Sequence, residues 1–208
     1  MIGMIGILDF GSAGNVKSVA NAFARADASA KIIKRYSNGV PGRLDGLVVP
    51  GVGSFSVVPK IISALGGRRA IPEIRVPVLC ICLGMQAMFK ASDESEGTEG
   101  LGIIDGDVRL LSGGVRIPQL GWNRVAQRQK DKLFDGIPNN EYFYFANSYA
   151  AFPDDSWAVL ATTGYGEAFA SAVRAGNWYG VQFHPEKSGQ AGQRLISNFA
   201  DICAGWKR

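Results

Sequence analysis

The fold is decided by the segment Val78-Leu79-Cys80-Ile81-Cys82-Leu83-Gly84-Met85-Gln86. It begins as a continuous apolar run, which predicts a buried strand. It then turns at Cys82-Leu83-Gly84 into residues 85–90, a run of good helix formers. A sharp strand-to-helix turn displays its cysteine, and the unpaired N–H groups at the start of a helix favour the thiolate. Cys82 is therefore the candidate nucleophile, with a buried structural cysteine as the alternative.

The composition limits the class of protein. A chain of 208 residues with 47% hydrophobic and 19% charged residues fits one globular domain, residues 1–208, with a sizeable core. No apolar run approaches the ~20 residues that cross a bilayer, and residues 1–9 lack the basic start of a signal peptide. Three cysteines, an odd number, predict a reduced, cytoplasmic protein. The net charge of +4 is spread over scattered basic pairs, so we expect neither a nucleic acid nor a membrane as partner.

The first part of the chain alternates strand and helix patterns. This alternation predicts an α/β fold with a parallel sheet and helices on both faces. The predicted strands are 4–9, 31–35, 44–50 and the segment before Cys82; the predicted helices begin at Val16 and Val57, and the second is ended by Gly66-Gly67.

The second half is richer in short strand patterns, some of them expected to be antiparallel. Predicted strands are 108–111, 116–117, 122–125, 142–145, 157–161, 169–174 and 178–183. A last helix begins near Gly189 and carries Leu195, Ile196 and Phe199 on one face. Residues 92–100 are acidic and contain glycine, but their spacing fits no metal-ligand set, so we interpret them as a solvated loop.

Two further segments carry chemistry. Gly51-Val52-Gly53 follows a strand, and two glycines there allow close backbone approach and N–H groups aimed at an oxyanion, with an ordinary loop as the alternative. His184-Pro185-Glu186 contains the only histidine of the chain. His184 is thus the only imidazole base available to Cys82. If Pro185 holds the backbone extended, Glu186 points the same way as His184 and can orient its ring. The alternative is a lone histidine satisfied in the core.

These segments resemble the class I glutamine amidotransferases, and within them the glutaminase subunits of imidazole glycerol phosphate synthases. The similarity covers nearly the whole chain. The cysteine turn and His-Pro-Glu are general to the class, whereas Gly-Trp-Asn and His-Pro-Glu-Lys-Ser-Gly point to this branch. The segments that carry the resemblance are Gly14-Asn15 with Ser18-Val19, Pro50-Gly51-Val52-Gly53-Ser54-Phe55, residues 80–86, Leu120-Gly121-Trp122-Asn123, residues 142–145 and residues 180–189.

The resemblance implies a three-layer fold around a mixed, mostly parallel sheet, and a reaction without cofactor or metal. Cys82 attacks the side-chain amide of glutamine, His184 protonates the departing ammonia, and water hydrolyses the glutamyl thioester. The residues implied to bind glutamine or its oxyanion are Gly51, Val52, Gly53, Leu83, Gln86 and Ser148.

The resemblance also implies a partner, a (β/α)₈ cyclase subunit that forms a heterodimer with this chain and receives the ammonia through a channel. Asn15, Trp122 and Asn123 would belong to the docking face, with Trp122 filling the core as the alternative.

The chain departs from the usual pattern at three positions. It has Gln119 and Asn147 where the family usually carries histidine, and Cys80 where it usually carries glycine. These departures leave the partner open, with an ammonia-supplying subunit of an amidotransferase that modifies surface sugars as the alternative. A non-catalytic scaffold subunit and a stand-alone cysteine hydrolase are alternatives from other classes. Cys80 is an alternative nucleophile, although its place inside the strand speaks against it.

Overall fold

The computed structural model describes residues 4–11, 16–36 and 44–206. Its strands are β1 Met4–Leu8, β2 Ala30–Ile33, β3 Leu44–Gly51, β4 Val78–Cys82, β5 Ala91–Ser92, β6 Gly106–Leu110, β7 Gln119–Gln127, β8 Glu141–Asn147, β9 Tyr149–Pro153, β10 Val159–Tyr165, β11 Glu167–Ala175 and β12 Trp178–Val181. Its α-helices are α1 Val16–Arg25, α2 Val58–Ala64, α3 Leu83–Gln86 and α4 Gly189–Gly205. Short 3₁₀ turns occur at Phe55–Val57, Arg68–Glu73, Lys132–Phe134, Ser156–Ala158 and Pro185–Lys187.

All these strands join one mixed sheet, whose main path runs β2-β1-β3-β4-β12-β11-β10-β7-β8. The first five strands of the path are parallel to one another. From β12 onward each neighbour is antiparallel. A side branch of β9, β6 and β5 attaches to β11. The antiparallel pairs lie in the second half of the chain, as the strand patterns predict.

The parallel strands bury side chains on both faces, which makes the fold three-layered. In β4, Leu79 and Ile81 enter the core that α1 and α4 cover. Val78 and Cys80 point to the opposite core, which α2 and α3 cover. Successive residues of a strand face opposite sides, so a continuous apolar run is what a sheet covered on both faces requires. The predicted α/β fold with helices on both faces is confirmed.

The structure differs from the sequence-based expectation just after Cys82. The predicted helix over residues 85–90 is wrong in its bounds, because α3 begins at Leu83 and ends at Gln86. Beyond Gln86 the backbone tightens into i→i−3 bonds, since Met88 N–H donates to the Met85 carbonyl at 3.0 Å and Phe89 N–H to the Gln86 carbonyl at 3.1 Å. The next carbonyls accept from a distant loop, that of Ala87 from Leu101 N–H at 2.7 Å and that of Met88 from Ile103 N–H at 2.8 Å, so no further α-helical turn follows.

Three other differences concern strands. The predicted strand at 116–117 is wrong, since β7 begins only after Pro118, a residue that has no N–H for a strand ladder. The strand expected at 157–161 begins at Val159, because the Asp155 carboxylate accepts from Trp157 N–H at 2.8 Å and holds a helical turn there. β9, which bridges β6 and β11, was not predicted from the sequence.

Candidate active site

Three neighbouring parallel strands bring the chemical segments to one edge of the sheet. Gly51 ends β3 and pairs with Cys82, which ends β4. β12 lies on the other side of β4, and His184 follows it by three residues. The carboxyl ends of parallel strands meet at one edge, which is where α/β proteins place their ligands.

Cys82 occupies a strained turn between β4 and α3. Its φ of 54° lies in a region that non-glycine residues rarely adopt. The turn is possible only with glycine beside it: a Cβ on Gly84 would collide with the Val49 carbonyl oxygen, and one on Gly51 would lie 2.8 Å from Gly84 N. The backbones of β3 and the turn are therefore in direct contact, and the sulfur is held at a fixed place.

The structure brings Cys82, His184 and Glu186 together. The His184 imidazole is hydrogen-bonded to Cys82, and its Nδ1 lies 2.9 Å from Glu186 Oε1. Both His184 and Glu186 are buried. Because Nδ1 is used by Glu186, Nε2 is the nitrogen left for the sulfur. The arrangement is that of a nucleophile, a base and an orienting carboxylate.

The backbone after His184 is not extended, so the extended geometry predicted to bring Glu186 to the imidazole is wrong. Pro185–Lys187 is a 3₁₀ turn with Pro185 at its first position, where its fixed φ favours a helical start. Ser188 Oγ donates to the His184 carbonyl at 2.6 Å and accepts from Tyr144 N–H at 2.9 Å. The turn is thus tied to β8, and it aims Glu186 back at the imidazole.

The environment of His184 favours its charged form. Burial by itself lowers the pKa of His184, but the hydrogen bonds to Cys82 and Glu186, together with their charges, outweigh burial and raise that pKa well above its usual value. An imidazolium beside a thiolate is the activated state of a cysteine nucleophile.

Cys80 has a different environment. It is fully buried in the core under α2 and α3, and burial raises the pKa of its thiol. A neutral thiol inside a strand cannot reach the pocket that Cys82 lines, so the structure speaks against Cys80 as the nucleophile.

A pocket of about 200 Å³ opens at the Cys82 sulfur. Four of the expected residues line it: Gly53, Cys82, Gln86 and Ser148. Gly51, Val52 and Leu83 are not among its lining residues. Gly53 is exposed with φ +105°, a backbone conformation that glycine adopts without strain. The other lining residues are Glu94, Pro118, Leu120, Ala146, Asn147 and Tyr149.

Glu94 is a pocket residue that the sequence analysis missed. The interpretation of residues 92–100 as a solvated loop is wrong for Glu94, which lines the pocket with Cys82. Its Oε2 accepts from Phe55 N–H at 2.7 Å, so the loop after β3 holds it in place. No sequence signal could have identified it, because the acidic loop reaches the site only through tertiary packing.

Gln182 is a second missed residue. It is fully buried and its Nε2 lies 3.6 Å from Cys82 Sγ. A signal existed, since Gln182 precedes His184 by two residues directly after β12, and a continued strand pattern there would place both on one side.

The residues expected at a docking face have different positions. Trp122 is 54% exposed on the β7–β8 hairpin, so the alternative that it fills the core is wrong. Asn123 donates from Nδ2 to the Gly164 carbonyl at 3.0 Å and so contributes to the packing of β7. Asn15 lies outside the described residues. Leu120 and Tyr142 are exposed on the same hairpin, which gives it an apolar outer surface.

The two positions that depart from the usual histidines face each other across the hairpin. Gln119 of β7 pairs with Asn147 of β8, and both are buried. Within the described residues, both amide atoms of Gln119 and Oδ1 of Asn147 have no hydrogen-bond partner.

In the part of the chain that the structure describes, no group of three or more His, Cys, Asp or Glu side chains could hold a metal ion.

The sequence of the chain matches a known protein family. Residues 7–203 match the family Glutamine amidotransferase class-I. The imidazole glycerol phosphate synthase subunit HisH of Dehalococcoides mccartyi is 39% identical over 208 residues, covering 99% of this chain and 100% of that protein. The subunit HisH of Escherichia coli K12 is 42% identical over 197 residues, covering 94% and 98%.

Solved structures share the fold. A Thermoplasma acidophilum protein named for a GMP synthase superposes with a TM-score of 0.72 at 20% identity, covering 98% of this chain and 95% of that one. At this identity, the similarity shows the three-layer architecture only.

Proposed function

Because the chain belongs to the class I glutamine amidotransferase family, we propose that it is the glutaminase subunit of an imidazole glycerol phosphate synthase. One observation carries the proposal: Cys82 lines a pocket and is in hydrogen-bond contact with the His184–Glu186 pair, in a chain about 40% identical to HisH subunits over nearly its full length.

Glutamine fits the polar groups that line this pocket. The Glu94 carboxylate is the acidic group there and would accept hydrogen bonds from the α-ammonium group of the substrate. Gln86 uses its Nε2 to donate to the Tyr149 carbonyl at 2.9 Å and to Gln182 Oε1 at 3.1 Å. Its Oε1 is then the atom available to accept from a ligand. Ser148 lines the same wall.

The reaction proceeds in two steps. The Cys82 thiolate attacks the side-chain amide carbon, and the tetrahedral oxyanion is held by the N–H of Leu83 and that of Val52 or Gly53. His184 donates its proton to the nitrogen as the C–N bond breaks, which releases ammonia and leaves a glutamyl thioester on Cys82. His184 then takes a proton from water, which attacks the thioester and releases glutamate and the thiolate.

The ammonia has to reach an acceptor before it meets bulk water. We propose that a (β/α)₈ cyclase subunit covers the apolar outer surface of the β7–β8 hairpin and forms a heterodimer with this chain. Trp122, Leu120 and Tyr142 supply the apolar anchors that interfaces favour. Leu120 also lines the Cys82 pocket, so this surface is continuous with the site where ammonia forms.

The state of the cysteines fits a protein of a reducing compartment. Cys80, Cys82 and Cys203 are free thiols, which is typical of the cytoplasm. Within the described residues, no helix is both long and apolar enough to span a membrane.

The test measures glutamate release by the purified chain, alone and with the cognate cyclase subunit plus its nucleotide ligand. We expect low activity alone and a large ligand-dependent rise in the complex. A Cys82→Ala chain in the same complex is the control and should release no glutamate. High activity without a partner would indicate an independent hydrolase, and product formation with Cys82→Ala in the presence of glutamine would indicate a scaffold.

A further inference from the structure

We propose that Gln182 is a positioning residue of the nucleophile: its side-chain amide donates a hydrogen bond to Cys82 Sγ, favours the thiolate and links the sulfur to the glutamine-binding residue Gln86. The inference rests on the proposed function and adds a residue to the same site. Cys82 and Gln182 are 100 residues apart in the sequence, and the pairing of β4 with β12 brings them together.

The direction of each hydrogen bond follows from one backbone carbonyl. The Tyr149 carbonyl can only accept, so the Gln86 atom 2.9 Å from it is the amide nitrogen. The same nitrogen lies 3.1 Å from a Gln182 side-chain atom, which must then be the oxygen Oε1. The Gln182 nitrogen Nε2 is the atom that remains, and it lies 3.6 Å from Cys82 Sγ. The chain of bonds therefore fixes Gln182 as a donor to the sulfur.

The burial of Gln182 makes this orientation stable. The residue is fully buried, so its amide cannot exchange these partners for bulk water. Its backbone N–H donates to the Ser171 carbonyl at 2.9 Å, which fixes the main chain as well. A buried amide that lost its partners would destabilise the protein, which disfavours rotation of the group.

An N–H group aimed at sulfur stabilises the thiolate more than the thiol, because a hydrogen bond to a charged acceptor is the stronger one. Other titratable groups around the sulfur are His184 with its partner Glu186, and Glu94 and Tyr149 in the pocket wall. Cys80 lies on the same strand but faces the opposite core. The His184, Glu186, Glu94 and Tyr149 groups are kept in the variants below, so a change in the titration of Cys82 reports on Gln182.

The experiment follows alkylation of Cys82 by iodoacetamide as a function of pH. A Cys80→Ala/Cys203→Ala background leaves Cys82 as the one thiol of the chain. Gln182→Met keeps the length of the side chain and removes the donor. We expect the pH midpoint of alkylation to rise by about one pH unit, and kcat/KM for glutamine in the complex to fall roughly tenfold. Thermal unfolding checks that the variant is folded.

Two companion variants make the result specific. Ser171→Ala removes a buried hydroxyl that has no hydrogen-bond partner within the described residues, next to the Gln182 backbone, and should leave the alkylation profile unchanged. Gln86→Met removes the group that orients Gln182, so the midpoint should rise by less than in Gln182→Met. If Gln182→Met does not fold, the alkylation midpoint of Gln86→Met tests the role of Gln182 in its place.

The outcomes separate this inference from the proposed function. An alkylation midpoint that stays at the wild-type value or falls in folded Gln182→Met overturns the inference, as does a loss of kcat/KM with an unchanged profile. If Gln182→Met does not fold, an unchanged midpoint in Gln86→Met overturns it too. Alkylation needs no turnover, so a chain without glutaminase activity would contradict the proposed function while the profiles still judge Gln182.

Discussion

The carboxyl edge of β3, β4 and β12 and the β7–β8 hairpin both border the Cys82 pocket, but their polar side chains differ in whether they have hydrogen-bond partners. At the strand edge, the imidazole of His184 is hydrogen-bonded to both Cys82 and Glu186. The Gln182 amide is hydrogen-bonded to Gln86 on one side and to the Cys82 sulfur on the other.

On the hairpin, some buried polar atoms have no hydrogen-bond partner in the described ranges, and large apolar side chains are exposed to solvent. The side-chain amide of Gln119 and Oδ1 of Asn147 are buried without hydrogen-bond partners among the described residues, while Leu120 and Trp122 are exposed. The imidazole of His184 and the amides of Gln86 and Gln182 thus have partners within the chain, whereas the hairpin has exposed apolar side chains of the kind that a second molecule covers. Four substitutions, two at the edge and two on the hairpin, test this difference.

The largest effect should follow removal of the nucleophile at the strand edge. Cys82→Ala should lower kcat for glutamine hydrolysis by at least about 10³-fold, because no other group can form the thioester. Cys80→Ala is the matched control two residues upstream and should retain the activity of the complex. Steady-state glutamate release measures both. Loss of activity in a folded Cys80→Ala protein would contradict the assignment of Cys82.

The next effect concerns the carboxylate that orients the base. Glu186→Gln keeps the shape of the side chain but removes the charge beside His184 Nδ1. The hydrogen bonds to Cys82 and Glu186 and the charges of both raise the pKa of His184 against the effect of burial, so this pKa should fall in the variant and the imidazolium should be lost at a lower pH than in the wild type. We expect kcat to fall by roughly 10²-fold, since the ring also loses its fixed orientation. An unchanged kcat over the pH range would show that Glu186 does not orient the base.

A smaller effect is expected on the hairpin. Trp122→Ala should raise the Kd for the proposed cyclase partner by roughly 30-fold, the size typical of an aromatic anchor. Trp157 is 82% exposed and lies before β10, so Trp157→Ala removes an even more exposed indole away from the hairpin. Titration calorimetry should find no change for that control. Equal weakening by both substitutions would argue against a docking surface at the hairpin.

The smallest effect tests whether the hairpin amides are unsatisfied in the isolated chain. A buried amide without a partner destabilises a protein by about 1–3 kcal/mol relative to a satisfied one. Gln119→Met replaces the amide with an apolar chain of similar length, so the free energy of unfolding of the isolated chain should rise by about 1 kcal/mol. Urea unfolding measures this change. A clear decrease in stability would mean that Gln119 has partners in solution.

The sequence predicted much of this molecule from local pattern. The apolar run before Cys82 specified a strand buried on both faces, and Gly84 specified the tight turn. The single histidine limited the choice of base to His184. The Leu195, Ile196 and Phe199 stripe specified the buried face of α4. Each of these inferences uses residues close together in the chain. Over such short distances, the backbone geometry of a strand or helix relates the spacing of residues in the sequence to the direction in which their side chains point.

The tertiary structure decided everything that depends on strand order. Only the β3-β4-β12 arrangement brings Gly51, Cys82 and His184 to one edge. Glu94 became a pocket residue because its loop folds back onto the segment after β3. After α3, the carbonyls of Ala87 and Met88 bind a distant loop and no further helical turn follows. The sequence by itself determined which residues could do chemistry; contacts between segments far apart in the chain decided which of them meet, because local spacing carries no information about such neighbours.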